Sequence, residues 1–268
     1  MAKNPSTRYA KLIEAIFKAH YKKGKRSFTF RRVELVEHAK KLRMQLPKNL
    51  GDIIYSFRYR TPLPKGITST APKDREWIIA PAGKGVYQFK LAKTNRIIPT
   101  ENQYVIKIPD ATPELVTKYA MSDEQALLAK VRYNRLIDIF LRVTAYSMQN
   151  HLRTAIAAIG QMETDELYVA VRNTGEQFII PVQAKGQKDQ IGVIQIAQDM
   201  AMCEERFPNL ACRPVAVQFW SNPEGQEIVV MFEFVMSGDS IKVVDQKHYR
   251  LVPGDEISAE DLAIMSRE

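Results

Sequence analysis

An apolar, strand-like run ends in polar side chains within the stretch FIIPVQAKGQKDQIG, residues 178–192. Because successive side chains of a strand point to opposite faces, Gln183 and Lys185 share one face while Ala184 points to the other. An amide beside an amine at the end of a buried strand indicates a site for a polar ligand. The alternative is an ordinary strand end with Lys185 in water. For this tripeptide alone that alternative is favoured, since Gln and Lys are common surface residues.

Acidic residues stand at the other end of the same predicted hairpin. The segment ELYVAVRNTGEQFIIPVQAK contains two β-rich runs around a turn at residues 173–175, which is the pattern of a β-hairpin. In the simplest register, Glu166 lies opposite Gln183 and Asp165 lies opposite Ala184. An odd-length turn or a bulge instead moves Asp165 beside Gln183 or beside the lysine two positions further on.

In either register, a carboxylate of the segment ETDE, residues 163–166, lies within side-chain reach of Gln183 and Lys185. Carboxylate and amide oxygens are ligands of hard divalent cations, and such a cation activates a water molecule for hydrolysis. The ammonium group of Lys185 stabilises the hydroxide and the charge of a phosphorane. Together these residue types predict metal-assisted hydrolysis of a phosphodiester, and this prediction outweighs the ordinary strand end.

An acid at the start of one strand, a hairpin, and (D/E/Q)-x-K at the end of the next strand resemble the PD-(D/E)XK nucleases. The QAK form is similar to the Mrr-like restriction endonucleases, in which glutamine replaces the usual second acid. The resemblance covers roughly residues 120–250. It implies an α/β fold with a PD-(D/E)XK-type mixed β-sheet flanked by helices, and a catalytic set formed by Asp165, Gln183 and Lys185.

The same resemblance implies a bound Mg²⁺ or Mn²⁺ ion. Its ligands would be Asp165, Gln183 and the main-chain oxygen of Ala184. The Pro-Asp pair of the family is absent here, because Thr164 precedes Asp165. The choice between Asp165 and Glu166 as the metal-binding acid therefore stays open, with Asp165 favoured.

Basic residues are concentrated in the front of the chain. Residues 1–110 hold 24 Lys and Arg against 8 Asp and Glu, whereas residues 111–268 hold 15 against 22. This asymmetry predicts a polyanion-binding domain joined to a domain of another kind. Nucleic acid is the favoured polyanion, although charge alone names neither sequence nor strand type.

Three predicted helices followed by a hairpin with a basic tip are typical of a winged-helix domain, an α+β module that binds duplex DNA. These elements cover residues 7–20, 33–42, 47–60 and 77–89. We expect the third helix and the hairpin tip to contact DNA through Lys48, Asn49, Tyr55, Arg58, Arg60 and Lys84. The alternative is a small module that binds protein. We expect this domain to span residues 1–105 and the nuclease domain to span residues 106–268.

The rest of the back half predicts alternating helices and strands. An apolar-rich stretch predicts a helix that breaks near residues 134–145 and a second helix over about Tyr146–Ile159, in which His151 lies on a polar turn. After the hairpin comes a helix on which Gln195 and Gln198 either contact phosphate or form a solvated face. Two strands and a closing edge strand, KVVDQKHYRLVP, follow. This order predicts an α/β fold with a mixed sheet.

The leading functional prediction is a type II-like restriction endonuclease that hydrolyses double-stranded DNA with a divalent metal and leaves a 5′-phosphate. Cleavage of both strands usually needs two sites, so we expect a homodimer. One rival is a non-catalytic DNA-binding regulator with a nuclease-like dimerisation domain, for which the glutamine at 183 argues. Another is a repair or junction nuclease. Since we find no apolar run of membrane length and no apolar leader, we expect a cytoplasmic protein without a membrane partner.

Overall fold

The structure is a computed structural model of the 268-residue chain. It describes residues 9–59, 61–73, 75–92, 96–101, 103–119, 123–157, 159–187, 189–222, 224–238 and 240–265. The chain divides into two compact units. Met1–Asn95 with Ala155–Met162 form the first unit, and Arg96–Thr154 with Glu163–Glu268 form the second. The division near the front falls between Asn95 and Arg96, whereas the sequence indicated a boundary near residue 105.

The first unit combines short helices with a small antiparallel sheet. Its elements in chain order are α1 (Ala10–His20), β1 (Ser27–Arg31), α2 (Arg32–Lys41), α3 (Gly51–Tyr59), α4 (Lys65–Thr68), β2 (Glu76–Pro81) and β3 (Val86–Ala92). The strands pair in the order β1-β3-β2. The apolar side of α1 is buried against the sheet, where the ring of Phe17 packs on Phe28 and Phe89. The one-sided helix and the hairpin predicted for this region are confirmed.

Helix α3 begins later than its sequence predicts. The sequence placed Pro47 in the first turn of this helix, but the helix starts at Gly51. The Asn49 side chain caps its amino end. Asn49 Oδ1 accepts the N–H of Gly51 at 3.0 Å, and Asn49 Nδ2 donates to Asp52 Oδ1 at 2.7 Å. The apolar residues Ile53, Ile54 and Phe57 of α3 are buried, and Leu50 is partly buried against the same core.

The second unit is built on a large mixed sheet. Its strands are β5 (Val105–Pro109), β6 (Thr144–Ile156), β7 (Gly160–Val171), β8 (Gln177–Lys185), β10 (Ala211–Cys212), β11 (Val215–Ser221), β12 (Glu227–Ser237) and β13 (Ser240–Val252). The order across the sheet is β5-β13-β12-β11-β8-β7-β6, and β10 pairs with β8. A separate pair joins β4 (Arg96–Ile97) to β9 (Ile191–Gly192). Because β8 pairs parallel with β11 and antiparallel with β7, the sheet is mixed.

Helices cover both faces of this sheet. They are α5 (Glu114–Tyr119), α6 (Asp123–Tyr133), α7 (Leu136–Leu141), α8 (Val193–Arg206) and α9 (Ala259–Met265), with a 3₁₀ turn at Gly254–Glu256. Alternation along β11 separates two cores: Val217 packs with α6 and α7, whereas Ala216 packs with Ile196 of α8. The predicted α/β class, with a mixed sheet flanked by helices, is confirmed. Within the described ranges, each helix is too short or too polar to cross a membrane.

Two element predictions in this unit are wrong. The expected break after α6 is present, with Arg135 at a φ of 51°, but the second predicted helix, Tyr146–Ile159, is instead strand β6. Strand β6 lies at the end of the strand order, and its residues are largely exposed. Its sequence therefore lacks the alternation of apolar and polar residues that identifies a half-buried strand. Strand β13 is not the sheet edge, since β5 pairs with it in parallel on its outer side.

Candidate active site

The hairpin of β7 and β8 sets the register of the site. Arg172 N–H donates to the Glu176 carbonyl at 2.9 Å, so the turn has the odd length of Asn173, Thr174 and Gly175. Gly175 has a φ of +84°, a left-handed conformation that favours glycine in such a turn. The simplest predicted register is therefore wrong, and the odd-turn alternative is the one observed.

In this register Glu166 pairs with Val182 rather than with Gln183. Asp165 consequently reaches the end of β8, where its Oδ2 accepts the backbone N–H of Ala184 at 2.8 Å. Burial raises the pKa of Asp165, and the positive charge of Lys185 acts in the opposite direction. The predicted residues Asp165, Gln183, Ala184 and Lys185 thus lie together at one end of the hairpin.

Glu166, the alternative metal ligand, lies in a different environment. Its side chain is fully buried, and its Oε1 accepts hydrogen bonds from Nε, at 3.0 Å, and Nη2 of Arg132 on α6. Its Oε2 accepts the hydroxyl of Tyr168 at 2.6 Å. Burial raises the pKa of Tyr168, as does the neighbouring Glu166 carboxylate. Glu166 is therefore part of an ion pair within the α6 side of the core and is not joined to Gln183.

Sequence reasoning missed Asp199, a fully buried carboxylate on α8. Its Oδ2 accepts Nε2 of Gln183 at 2.9 Å, and its Oδ1 accepts the hydroxyl of Thr164 at 2.6 Å. Burial raises the pKa of Asp199 to about 7. The signal in the sequence was an acid at an inward position of an amphipathic helix, between the buried Ile196 and Met202.

The two glutamines of α8 differ in their surroundings. Gln195 Nε2 donates to Gln183 Oε1 at 3.4 Å, a long hydrogen bond. Gln198 is buried and therefore does not lie on a solvated helix face, whereas Gln195 is partly exposed. Gln195 and Asp199 are four residues apart and therefore reach Gln183 from adjacent turns of one helix.

A polar cluster on β6 and β7 borders Asp165. The predicted polar turn around His151 is instead extended strand, except that His151 itself has a φ of +49°, which is uncommon for a residue other than glycine. The Gln125 amide nitrogen donates to Nε2 of His151 at 2.7 Å. Glu163 lies two residues before Asp165, and its negative charge raises the pKa of Asp165. Glu163 Oε2 pairs with Arg153 Nε at 3.2 Å.

The donor set fits a hard divalent cation with few protein ligands. Asp165 supplies a carboxylate and Gln183 supplies the amide oxygen Oε1, and both are the oxygen ligands that Mg²⁺ accepts. Gln218, which pairs with Lys185 across β8 and β11, contributes a buried Oε1 that has no hydrogen-bond partner among the described residues. Within those residues no group of three or more His, Cys, Asp or Glu is arranged to hold a metal. A cation here would therefore complete its shell with water and substrate oxygens.

The residues predicted to bind DNA belong to the first unit. Lys48, Asn49, Tyr55 and Lys84 are exposed, and Arg58 is half-buried. Arg60 lies outside the described residues. Asn49 also accepts Arg32 Nη2 at 3.2 Å, so part of its hydrogen-bonding capacity is used within the protein.

Lys84 occupies the tip of the β2–β3 loop. The glycines on either side of it, Gly83 and Gly85, have φ values of +124° and +70°. Such backbone conformations favour glycine and allow a tight loop that projects Lys84 into solvent. The loop therefore presents a positive charge to solvent.

The site as a whole joins two strands and one helix. Asp165 comes from β7, Gln183 and Lys185 come from β8, and Gln195 and Asp199 come from α8. Hydrogen bonds join the Gln183 amide to Asp199 and Gln195, and join Asp165 to the backbone of Ala184. Comparison with family models, with curated proteins and with solved structures finds no match for this chain.

Proposed function

We propose that this protein is a metal-dependent endonuclease of double-stranded DNA, of the PD-(D/E)XK type and similar to type II restriction enzymes. The observation that carries the proposal is the 2.8 Å hydrogen bond from the Ala184 N–H to Asp165 Oδ2. This bond brings the acid of one strand to the QAK segment of the next. Burial raises the pKa of that acid, and the nearby charge of Lys185 opposes part of this increase. An acid, an amide and an ammonium group at one end of the hairpin are the kinds of group that metal-assisted phosphodiester hydrolysis uses.

The residues divide the chemistry among them. Asp165, Gln183 and the main-chain oxygen of Ala184 would hold Mg²⁺ or Mn²⁺, which supplies an activated water and neutralises phosphate charge when bound. The ammonium group of Lys185 stabilises the negative charge that develops on the phosphoryl oxygens. The burial of Asp165 and Gln183 strengthens these electrostatic interactions, because the surroundings have a low dielectric constant.

The topology of the second unit supports this proposal. Strands β8 and β11 pair in parallel, and helix α8 lies in the crossover connection between them. The candidate site lies at the carboxyl end of β8, where this connection begins. The order β7, β8, α8, β11, β12 is the order that the resemblance to PD-(D/E)XK nucleases implies. The helices on both faces of the sheet are also compatible with this resemblance.

The first unit supports a DNA-binding role by its element order. Helices α1, α2 and α3, with strand β1 between the first two, are followed by the one-turn helix α4 and a hairpin, and the strands pair as β1-β3-β2, which is compatible with a winged-helix module. In that reading α3 enters the major groove with Tyr55 exposed, and the loop carrying Lys84 contacts the phosphate backbone. Residues 1–110 contain 24 basic and 8 acidic residues, and this positive balance favours a polyanionic partner.

Incubation of the purified protein with duplex DNA and Mg²⁺, beside a sample with EDTA, tests the proposal. Discrete fragments or a ladder that appear only with metal, with 5′-phosphate ends, would support an endonuclease. A parallel sample of branched DNA distinguishes a junction nuclease, which would cut that substrate and spare the linear duplex. Because cleavage of both strands needs two sites, we also propose a homodimer, and sedimentation of the protein bound to one duplex tests it.

A non-catalytic DNA-binding regulator is the second candidate. It is favoured by Gln183, which stands where the usual acid would be and whose amide nitrogen is bonded to Asp199 and to the Glu163 carbonyl. A site with fewer negative ligands binds a divalent cation more weakly. In the same experiment, DNA that is retarded in a gel yet stays intact with Mg²⁺ would favour the regulator over the endonuclease.

A further inference from the structure

Gln183 occupies a position in which its amide can adopt only one orientation. Its Nε2 donates to the Glu163 carbonyl at 3.2 Å and to Asp199 Oδ2 at 2.9 Å. A backbone carbonyl can only accept a hydrogen bond, so the amide nitrogen, and not the oxygen, must face it. The amide oxygen Oε1 therefore faces the opposite side, where its one hydrogen bond from the described part of the chain is the long 3.4 Å contact with Gln195 Nε2.

Asp199 is itself held in place by its surroundings. The Thr164 hydroxyl donates to its Oδ1 at 2.6 Å, so Asp199 is fixed at both oxygens by β7 and β8. The side chain is fully buried, and a buried carboxylate is tolerated only when it is hydrogen-bonded. Asp199 on helix α8 is thus hydrogen-bonded to Thr164 of β7 and to Gln183 of β8.

This arrangement explains why position 183 carries an amide. A carboxylate at 183 would face the Asp199 carboxylate at hydrogen-bond distance in a buried setting, where like charges repel strongly and one of the two acids would have to bind a proton. With glutamine at 183, the same contact is a hydrogen bond from an amide to a carboxylate. The pair Gln183 and Asp199 therefore keeps an acid at this end of the sheet, on α8 instead of on β8.

We propose that Asp199 is the positioning residue of this site, which fixes the Gln183 amide so that Oε1 is presented to a divalent cation. This inference rests on the proposed function, because it assigns Gln183 Oε1 as a ligand. Asp199 acts through Gln183 and need not touch the cation. The glutamine is then a matched partner of Asp199, and the site is not a degenerate nuclease site.

Titration of the purified protein with Mn²⁺ alone, followed by calorimetry, tests this role without DNA. Asp199→Leu removes both acceptors and leaves an apolar side chain at a buried position. We expect it to remain folded by circular dichroism and to bind Mn²⁺ roughly 10–100-fold more weakly, the usual effect of removing a group that orients a metal ligand. Gln183→Glu should also weaken binding, and the double variant Gln183→Glu with Asp199→Asn should recover it, because amide and acid are then exchanged.

Asp110, which is exposed whereas Asp199 is fully buried, provides a control for the loss of a hydrogen-bonded carboxylate. Its Oδ1 accepts the Thr112 N–H at 2.8 Å and the Asn134 side-chain amide at 3.2 Å, which is the same chemistry on another part of the second unit. Asp110→Leu should leave Mn²⁺ affinity unchanged, which would show that the loss of a hydrogen-bonded carboxylate elsewhere in the second unit does not imitate the predicted effect. A folded Asp199→Leu variant with wild-type Mn²⁺ affinity, or a double variant no better than Gln183→Glu, would overturn the inference and leave the proposed function intact. Wild-type protein that binds no Mn²⁺ would overturn both.

Discussion

Asp165 and Glu166 are neighbours in the chain, but their carboxylates serve different parts of the molecule. Asp165 accepts the Ala184 N–H at the end of β8, whereas Glu166 is bonded to Arg132 and Tyr168 within the core beside α6. Alternation along a strand separates two adjacent side chains in this way. The chain thus places one acid at the candidate site and the other in a buried ion pair.

Substitution of Glu166 should lower stability and preserve cleavage, whereas substitution of Asp165 should abolish cleavage and preserve stability. Glu166→Leu leaves the Arg132 guanidinium without its carboxylate, and we expect a loss of about 3 kcal/mol in the free energy of unfolding, the low end for a buried pair because Arg132 is partly exposed. Cleavage per folded molecule should persist. Asp165→Asn should abolish cleavage and change the free energy of unfolding by about 1 kcal/mol or less.

Urea unfolding and a cleavage assay on the same preparations measure both quantities. Asn at 165 keeps the size of the side chain and an oxygen that can accept the Ala184 N–H, so it serves as the conservative variant. If the Glu166 variant were folded but inactive, while the Asp165 variant still cut DNA, Glu166 and not Asp165 would be the metal-binding acid.

The stability of the metal-free protein should depend on pH through Asp199. Burial raises the pKa of Asp199 to about 7, whereas an Asp in an unfolded chain titrates near 3.9. Between these two values the unfolded state binds fewer protons than the folded state, so the contribution of Asp199 to stability is present at low pH and is lost as the pH rises towards 7 and above. Asp199→Leu should remove this decrease.

Urea unfolding in EDTA at a series of pH values between about 2 and 8 checks the sign, because the range must extend below the ordinary pKa of an Asp. Asp110 gives the opposite case: burial raises its pKa, but hydrogen bonds from Thr112 and Asn134 outweigh burial and hold the pKa below its usual range. Its contribution is lost as the pH falls, so Asp110→Leu should flatten the acid side of the profile. Identical pH profiles for Asp199→Leu and wild type would show that Asp199 is ionised in the folded protein.

DNA affinity should fall when exposed lysines of the first unit are replaced. Lys48 lies just before α3 and Lys84 lies at the tip of the β2–β3 loop, and both side chains are exposed. If each neutralises one phosphate, Lys48→Ala and Lys84→Ala should each reduce the slope of log K against log[salt] by about 0.9. Fluorescence anisotropy at several salt concentrations measures this slope. Lys242→Ala, an exposed lysine of β13, serves as the control, and equal slopes for all three variants would contradict the assignment.

Strong local patterns allowed much of the fold to be predicted. The hairpin of β7 and β8, helix α8 and strands β11 and β12 each combine a clear hydrophobic period with turn residues at their ends. The tripeptide from Gln183 to Lys185 stood out because polar side chains follow a long apolar strand. The register of the hairpin was left open, because the length of the turn decides it and Gly175 alone does not reveal that length.

Other features depend on contacts far along the chain. Strand β6 lies at the end of the sheet order, and most of its residues are polar and exposed. Without an apolar face of alternating residues, its few apolar residues were read as a helix. Strand β5 is short and pairs with β13, which no local pattern indicates. Asp199 resembles a surface acid until α8 is packed onto the sheet, because its burial and its bonds to Thr164 and Gln183 arise only from tertiary structure.

The most direct measurement compares wild-type protein with Lys185→Ala for cleavage of duplex DNA in Mg²⁺, with binding followed in parallel in Ca²⁺ or EDTA. Lys242→Ala accounts for the loss of one positive charge elsewhere. If Lys185 stabilises charge at the scissile phosphate, its alanine variant should bind DNA like wild type and cut at least about 100-fold more slowly, since one such group contributes that much or more. Cleavage by Lys185→Ala at the wild-type rate, in protein shown to be folded, would contradict a catalytic site at the end of β8.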